Sequence, residues 1–166
     1  MKHLIPSPPI MLAAALCAVS AGAFAAAPAP DGEAKVMTPN QFKWGDAPPA
    51  IPKGAKIAVL HGDPGKEGPF IFRLKMPANF KVPPHTHPSS YTVTVISGTP
   101  SVGMGDKADA KKTHALKAGA FHYLPAKTSH YWIVKEGAEL QVQGTGPFGL
   151  TYVNPEDDPQ KMAARK

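Results

Sequence analysis

Twenty prolines and fifteen glycines are spread through the 166 residues, and they leave little uninterrupted chain for long helices. Each proline fixes φ and removes a backbone donor, and each glycine loosens the chain at a turn. Beyond residue 27 no apolar pattern of helical period persists. Between the breaks lie short runs rich in β-branched and aromatic residues. They predict strands near 57–60, 70–76, 80–82, 91–96, 101–104, 114–116, 121–124, 130–134, 140–144 and 150–153. Turn clusters such as His61-Gly62-Asp63-Pro64-Gly65, Ser97-Gly98-Thr99-Pro100 and Glu136-Gly137 separate them. Phe70, Phe72, Leu74 and Met76 alternate with Ile71, Arg73 and Lys75, the period of a strand with one buried face. Many short strands closely spaced predict an all-β sandwich or barrel.

The ends read differently. Lys2 gives a positive start, residues 10–19 form a short apolar run, and Ala23-Phe24-Ala25 and Ala25-Ala26-Ala27 offer small residues for cleavage. This is the layout of a secretory signal, expected over 1–25. The run is shorter than the roughly 20 apolar residues that span a bilayer. Leu16 before Cys17 argues against a lipoprotein. Cleavage removes Cys17, the only cysteine, so a periplasmic or secreted chain would hold together without disulfides. Residues 26–50, Pro- and Ala-rich with Phe42 and Trp44 as apolar anchors, read as an arm over the barrel. The barrel is expected over 51–153, and 154–166 as a polar tail, frayed or weakly helical at its end.

The formal net charge is +6, and the loss of Lys2 lowers it by one. The remaining lysines are scattered, with no block of five like charges. Such scatter serves solubility, and export argues further against nucleic acid, so neither nucleic acid nor, after cleavage, a membrane is an expected partner. A small molecule is, and a homodimer remains open.

The chemistry concentrates in Pro83-Pro84-His85-Thr86-His87-Pro88. Histidines at i and i+2 of a strand share a face, and two imidazoles there can meet one ion at about 2.0–2.1 Å. The prolines, which cannot donate to a ladder, suggest a strand entrance. With parity kept through Pro88-Ser89-Ser90, Tyr91, Val93 and Val95 point the same way. A third histidine, His130, lies on another predicted strand, with Trp132 on the same face.

At these positions the sequence resembles the cupin superfamily, in particular small single-domain bacterial cupins. The first cupin motif is Gly, five residues, His-x-His, three or four residues, Glu, six residues, Gly. Here Asn79 takes the first Gly place, His85 and His87 match, Tyr91 stands at the Glu, and Gly98 matches. The second motif is Gly, five residues, Pro, x, Gly, two residues, His, three residues, Asn. Gly119, Pro125 and His130 match, while Lys127 replaces the Gly and Val134 the Asn. Asn tolerates the positive φ that a motif glycine supplies. The resemblance covers roughly 57–153. It implies an all-β, double-stranded β-helix (jelly-roll) barrel. It also implies one divalent transition metal, Fe, Cu, Mn, Ni or Zn, on His85, His87 and His130.

Tyr91 departs from the family pattern, and three readings stay open. They are a neutral donor or proton relay beside a three-histidine site, a phenolate ligand, and the mark of a degenerate site; Tyr91 is the candidate catalytic residue in the first. The resemblance implies an exported metal-dependent oxidoreductase, dioxygenase-like, acting on a small organic substrate. The alternatives are a non-catalytic metal- or ligand-binding barrel, and a structural barrel braced by its metal. His61 reads as a solvated turn residue and His114 as exposed. His122 faces out if Phe121 and Tyr123 face in, and otherwise reaches the pocket. Phe72, Leu74, Phe121, Tyr123, Trp132 and Phe148 read as core. Gly144-Thr145-Gly146 lacks the Lys-Ser/Thr of a phosphate loop.

Overall fold

The alternation of large apolar residues in 70–76 needs a partner surface, and the chain supplies it by folding a long two-stranded ribbon on itself. The computed structural model describes residues 34–164; the expected signal, 1–25, lies outside them. The strands are β1 (Gly45–Asp46), β2 (Lys56–His61), β3 (Gly68–Met76), β4 (Phe80–Thr86), β5 (Tyr91–Ser97) and β6 (Ser101–Met104). After a 3-10 turn come β7 (Thr113–Ala115), β8 (Phe121–Leu124), β9 (His130–Val134), β10 (Ala138–Gly146) and β11 (Thr151–Tyr152). A short helix, α1 (Pro159–Ala164), follows in the segment read as a tail. Among the described residues no helix is long and apolar enough to cross a membrane.

The pairing is nested. β6 pairs with β7, β5 with β8, β4 with β9 and β3 with β10, all antiparallel. Successive pairs alternate between a six-stranded sheet, β1-β2-β3-β10-β5-β8, and a five-stranded sheet, β11-β4-β9-β6-β7. This is a jelly-roll barrel. Phe70, Phe72, Leu74 and Met76 of β3, Val93 and Val95 of β5, and Leu140 and Val142 of β10 face Phe80, Val82, Val102, Trp132 and Val134 across the core.

The prolines 83 and 84 lie inside β4, not at its entrance. Val82 pairs with Trp132, but the next pair is His85 with His130. Three steps on β4 match two on β9, so β4 carries one extra residue there. Prolines suit this interruption because it asks for no ladder donor. The extra residue reverses parity: Phe80 and Val82 face the core, and so does His85.

Both replaced motif glycines keep the left-handed backbone of a glycine, Asn79 at φ 60° and Lys127 at φ 61°. The segment 36–50 is held by cations on the outer face of β3. Lys75 Nζ sits 3.9 Å over Trp44, and Arg73 lies 5.7 Å over Phe42 while pairing with Glu139 at 2.9 Å.

The outer face of the five-stranded sheet has one tight spot. The buried Tyr131 ring lies over Gly103, and its hydroxyl donates to the Asp109 carbonyl at 2.9 Å. A Cβ on Gly103 would lie 2.1 Å from that ring. Gly103→Ala is therefore expected to cost about 1–3 kcal/mol of unfolding free energy by overpacking, read from urea denaturation. Tyr131→Leu in the same chain should recover part of it.

Candidate metal centre

Cross-strand pairing sets the first two ligand candidates side by side. Residues directly opposite in an antiparallel pair share a face, and the His85 and His130 rings lie 4.2 Å apart, centroid to centroid. His87 follows just beyond β4, with its ring 5.0 Å from His85 and 5.4 Å from His130. All three are buried, and one nitrogen from each lies within 4.8 Å of the others. Tyr91 opens β5 on the facing sheet, and its hydroxyl donates to His130 Nε2 at 2.8 Å. The structure brings together all four predicted site residues.

Two rings are tethered in the same way. His85 Nδ1 donates to the Pro83 carbonyl at 2.7 Å, and His130 Nδ1 to the Thr128 carbonyl at 3.1 Å. With that proton on Nδ1, the Nε2 lone pair of each ring turns toward the site. His87 has no such tether. Its Nδ1 is buried with no hydrogen-bond partner among the described residues, and its ring stacks on Phe148 at 4.4 Å and 23°.

The walls make these groups neutral. Burial, reinforced by His130 and then His87, holds His85 well below its ordinary value. Burial and His130 lower His87 to about 3, against a small opposing pull from the Gly149 carbonyl. Burial lowers His130 to about 4, with the Thr128 carbonyl opposing and His122 adding to the fall. Burial also pushes the Tyr91 phenol far above its ordinary value, with no cation nearby to offset it. The cavity beside them, about 50 Å³, is walled by residues such as Phe72, Leu74, Val93, Trp132 and Val142 and contains no carboxylate or ammonium group.

Other readings are corrected. Phe121 and Tyr123 are not core: they are 62% and 55% exposed. β8 is the edge of the six-stranded sheet, and its register on β5, with His122 opposite Val93, turns both aromatics outward. His122 therefore faces in, yet it does not line the cavity. It meets Trp132 edge-on at 6.0 Å, with Nε2 buried and unpartnered. His61 ends β2 rather than sitting in the turn, and both it and His114 are exposed. Phe148, read as core, is a half-buried cover over His87 and Tyr91. Its only sequence signal was a Gly-Pro-Phe-Gly cluster without periodicity.

A family model described as "Domain of unknown function (DUF4437)" matches residues 18–151. The chain belongs to the DUF4437 family. No curated protein matches it. The DUF4437 fold is that of the cupins. It superposes on the polyketide cyclase RemF from Streptomyces resistomycificus with a TM-score of 0.66 and 16% identity, over 80% of this chain and 94% of that one. A proposed acetylacetone dioxygenase from Methylibium petroleiphilum PM1 gives 0.60 and 20%, over 79% and 88%. An RmlC-like cupin from Shewanella frigidimarina gives 0.53 and 16%, over 68% and 91%.

The DUF4437 site fits the transition metal that a cupin fold suggests. Its donors are three neutral imidazoles, the form that ligates. Nitrogens sharing one ion at about 2.1 Å stand roughly 3–3.5 Å apart, closer than the 4.8 Å limit here. Small side-chain rotations would close that difference, and His87 Nδ1 has no hydrogen-bond partner among the described residues to oppose one.

The same burial predicts acid sensitivity. The unfolded chain protonates its histidines as pH falls through 6.5, whereas the folded chain resists down to about 4 for His130 and about 3 for His87. Stability of the metal-free protein is thus full above pH 6.5 and lost as pH falls toward 4. Between pH 7.5 and 5 the loss is up to about 2 kcal/mol per histidine, read from urea unfolding at both values. His87→Gln should flatten the dependence.

Proposed function

We propose that this protein is an exported metal-dependent cupin enzyme, an oxidoreductase of the dioxygenase type acting on a small organic molecule. His85, His87 and His130 hold one divalent transition metal, and Tyr91 is the catalytic hydrogen-bond donor. The observation that carries this reading is the convergence of three buried, neutral histidines beside an apolar cavity. Three imidazoles suit Fe, Cu, Mn, Ni or Zn rather than Mg or Ca, and they leave coordination positions open. A bound redox metal supplies activation of the substrate or of dioxygen. The chain's own groups do the rest. The apolar walls exclude water, the carbonyls of Pro83 and Thr128 aim two of the rings, and the neutral Tyr91 O–H donates to an oxygen of the bound molecule. The similar folds include a cyclase and a proposed dioxygenase, so the fold does not select the reaction; three imidazoles admit a redox-active metal, and the identity of that metal separates oxidation from hydrolysis.

Metal content decides between the classes. Protein purified from its native host is expected to carry about one Fe, Cu, Mn or Ni per chain by elemental analysis, lost in the His85→Ala/His87→Ala variant. Zinc at full occupancy would favour a binding or hydrolytic barrel, and no uptake after reconstitution would favour a degenerate site. Full occupancy in the double variant would refute the ligand assignment.

Export has its own test. Amino-terminal sequencing of the host-purified protein should begin at Ala26 or Pro28, and an intact Met1 would count against a cleaved signal.

A further inference from the structure

The cavity beside the histidines holds about 50 Å³, and a groove of about 700 Å³ lies against it. Ile51, Phe72, Phe148 and Leu150 line both, so one wall separates the two spaces. From that wall the groove passes Ile57 and Val59, the latter 44% exposed. Its two acids are already engaged. Asp46 accepts from Lys56 Nζ at 2.7 Å; Asp63 accepts from the Gly65 amide at 2.9 Å and lies 3.4 Å from Lys66 Nζ. The groove therefore offers an apolar surface whose acids are already paired.

Phe148 stands at the boundary and is firmly placed. Its amide donates to the Pro64 carbonyl at 2.6 Å. Close approach of the two segments depends on Gly146, where a Cβ would lie 2.0 Å from the Lys66 carbonyl oxygen. The ring packs edge-on against Phe70 at 5.3 Å and Phe72 at 5.4 Å. It lines both spaces and stands as the neck between them.

We infer that the substrate is an amphipathic organic acid whose anionic oxygen end enters the histidine cavity past Phe148 and whose alkyl or aryl body lies in the outer groove. This rests on the metal reading above. At about 10–15 Å³ per water-sized group, the cavity admits only a small head. Three neutral ligands leave the charge of a divalent ion uncompensated in apolar walls, which favours an anionic head. The walls hold no cation for a second negative charge, and the groove suits an uncharged body. Phe148, between them, limits how bulky the molecule can be where head joins body.

The test uses the full chain with Zn(II) as a redox-inert probe. Calorimetry first measures zinc binding. Acetate, hexanoate and decanoate are then titrated onto the zinc-loaded protein, with methyl NMR spectra of its isoleucines and valines. Affinity is expected to rise by up to about fourfold per methylene along the groove. Decanoate should shift the Ile57 and Val59 methyl signals, and acetate should shift neither. Val59→Asp, outside the cavity, should weaken decanoate at least tenfold and acetate less than twofold. Phe148→Ala should admit branched acids that the native neck excludes. Equal affinities across the series, or equal weakening of acetate and decanoate by Val59→Asp, would overturn the inference alone. Zinc that fails to bind one to one would overturn the metal reading and this inference together.

Discussion

One extra residue in β4 decides where the chemistry lies. Between the pairs Val82–Trp132 and His85–His130, β4 advances three residues while β9 advances two. Without that bulge, strand parity would point Pro84 into the barrel and send His85 to the outer face. The bulge brings His85 into the barrel, with its ring 4.2 Å from that of His130. The Tyr91 hydrogen bond to His130 and the cavity between the sheets are built around this pair. Pro83 and Pro84 make the irregularity inexpensive, since neither needs a ladder partner for an amide. Their carbonyls are still used: Pro83 accepts from His85, and Pro84 accepts from the Val153 amide, which helps dock β11 beside the site.

Two of the three imidazoles are fixed and one is adaptable. His85 and His130 each donate Nδ1–H to the carbonyl two residues earlier, a shared local geometry that sets their tautomers from the backbone. His87 packs between Phe148 and Tyr91, and its Nδ1 is buried without a hydrogen-bond partner among the described residues. A buried unsatisfied nitrogen costs about 1–3 kcal/mol. A residue selected only to fill the core would not carry that cost, since leucine or phenylalanine packs against Phe148 without it. His122 carries the same cost at Nε2 away from the cavity, so what sets His85, His87 and His130 apart is their convergence.

Much of the barrel was legible because burial on one face leaves a period of two. β3 displays it in Phe70, Phe72, Leu74 and Met76, and its observed range, Gly68–Met76, extends the expected one only at its start. The motif glycine positions held by Asn79 and Lys127 were legible from the resemblance, and the backbone at both is left-handed although neither is glycine. Three features were not legible, each for a spatial reason. The bulge was hidden because a proline pair reads as the start of a strand. Phe121 and Tyr123 looked like core because residue type does not reveal that their strand lies at a sheet edge. Phe148 lies in an aperiodic segment, and its place over His87 depends on the close approach of Gly146 to Lys66, a contact between distant parts of the chain.

Tyr91 where related motifs carry glutamate changes the charge balance of the site. A carboxylate would bring a negative charge beside the imidazoles. The phenol, kept protonated by its burial, brings only a dipole. An imidazole nitrogen has a single in-plane lone pair, so His130 Nε2 serves either the Tyr91 proton or an ion, not both. On the reading proposed above, occupation of that lone pair frees the Tyr91 O–H to turn to another acceptor within reach. Apart from the histidines the lining side chains offer no acceptor, since Trp132 only donates and the rest, Tyr91 aside, are hydrocarbon. The acceptor must then arrive with the bound molecule. An anionic oxygen meets both requirements at once, compensating charge and accepting the proton that His130 no longer takes. On that reading, a site made only of neutral groups selects a ligand that is not neutral.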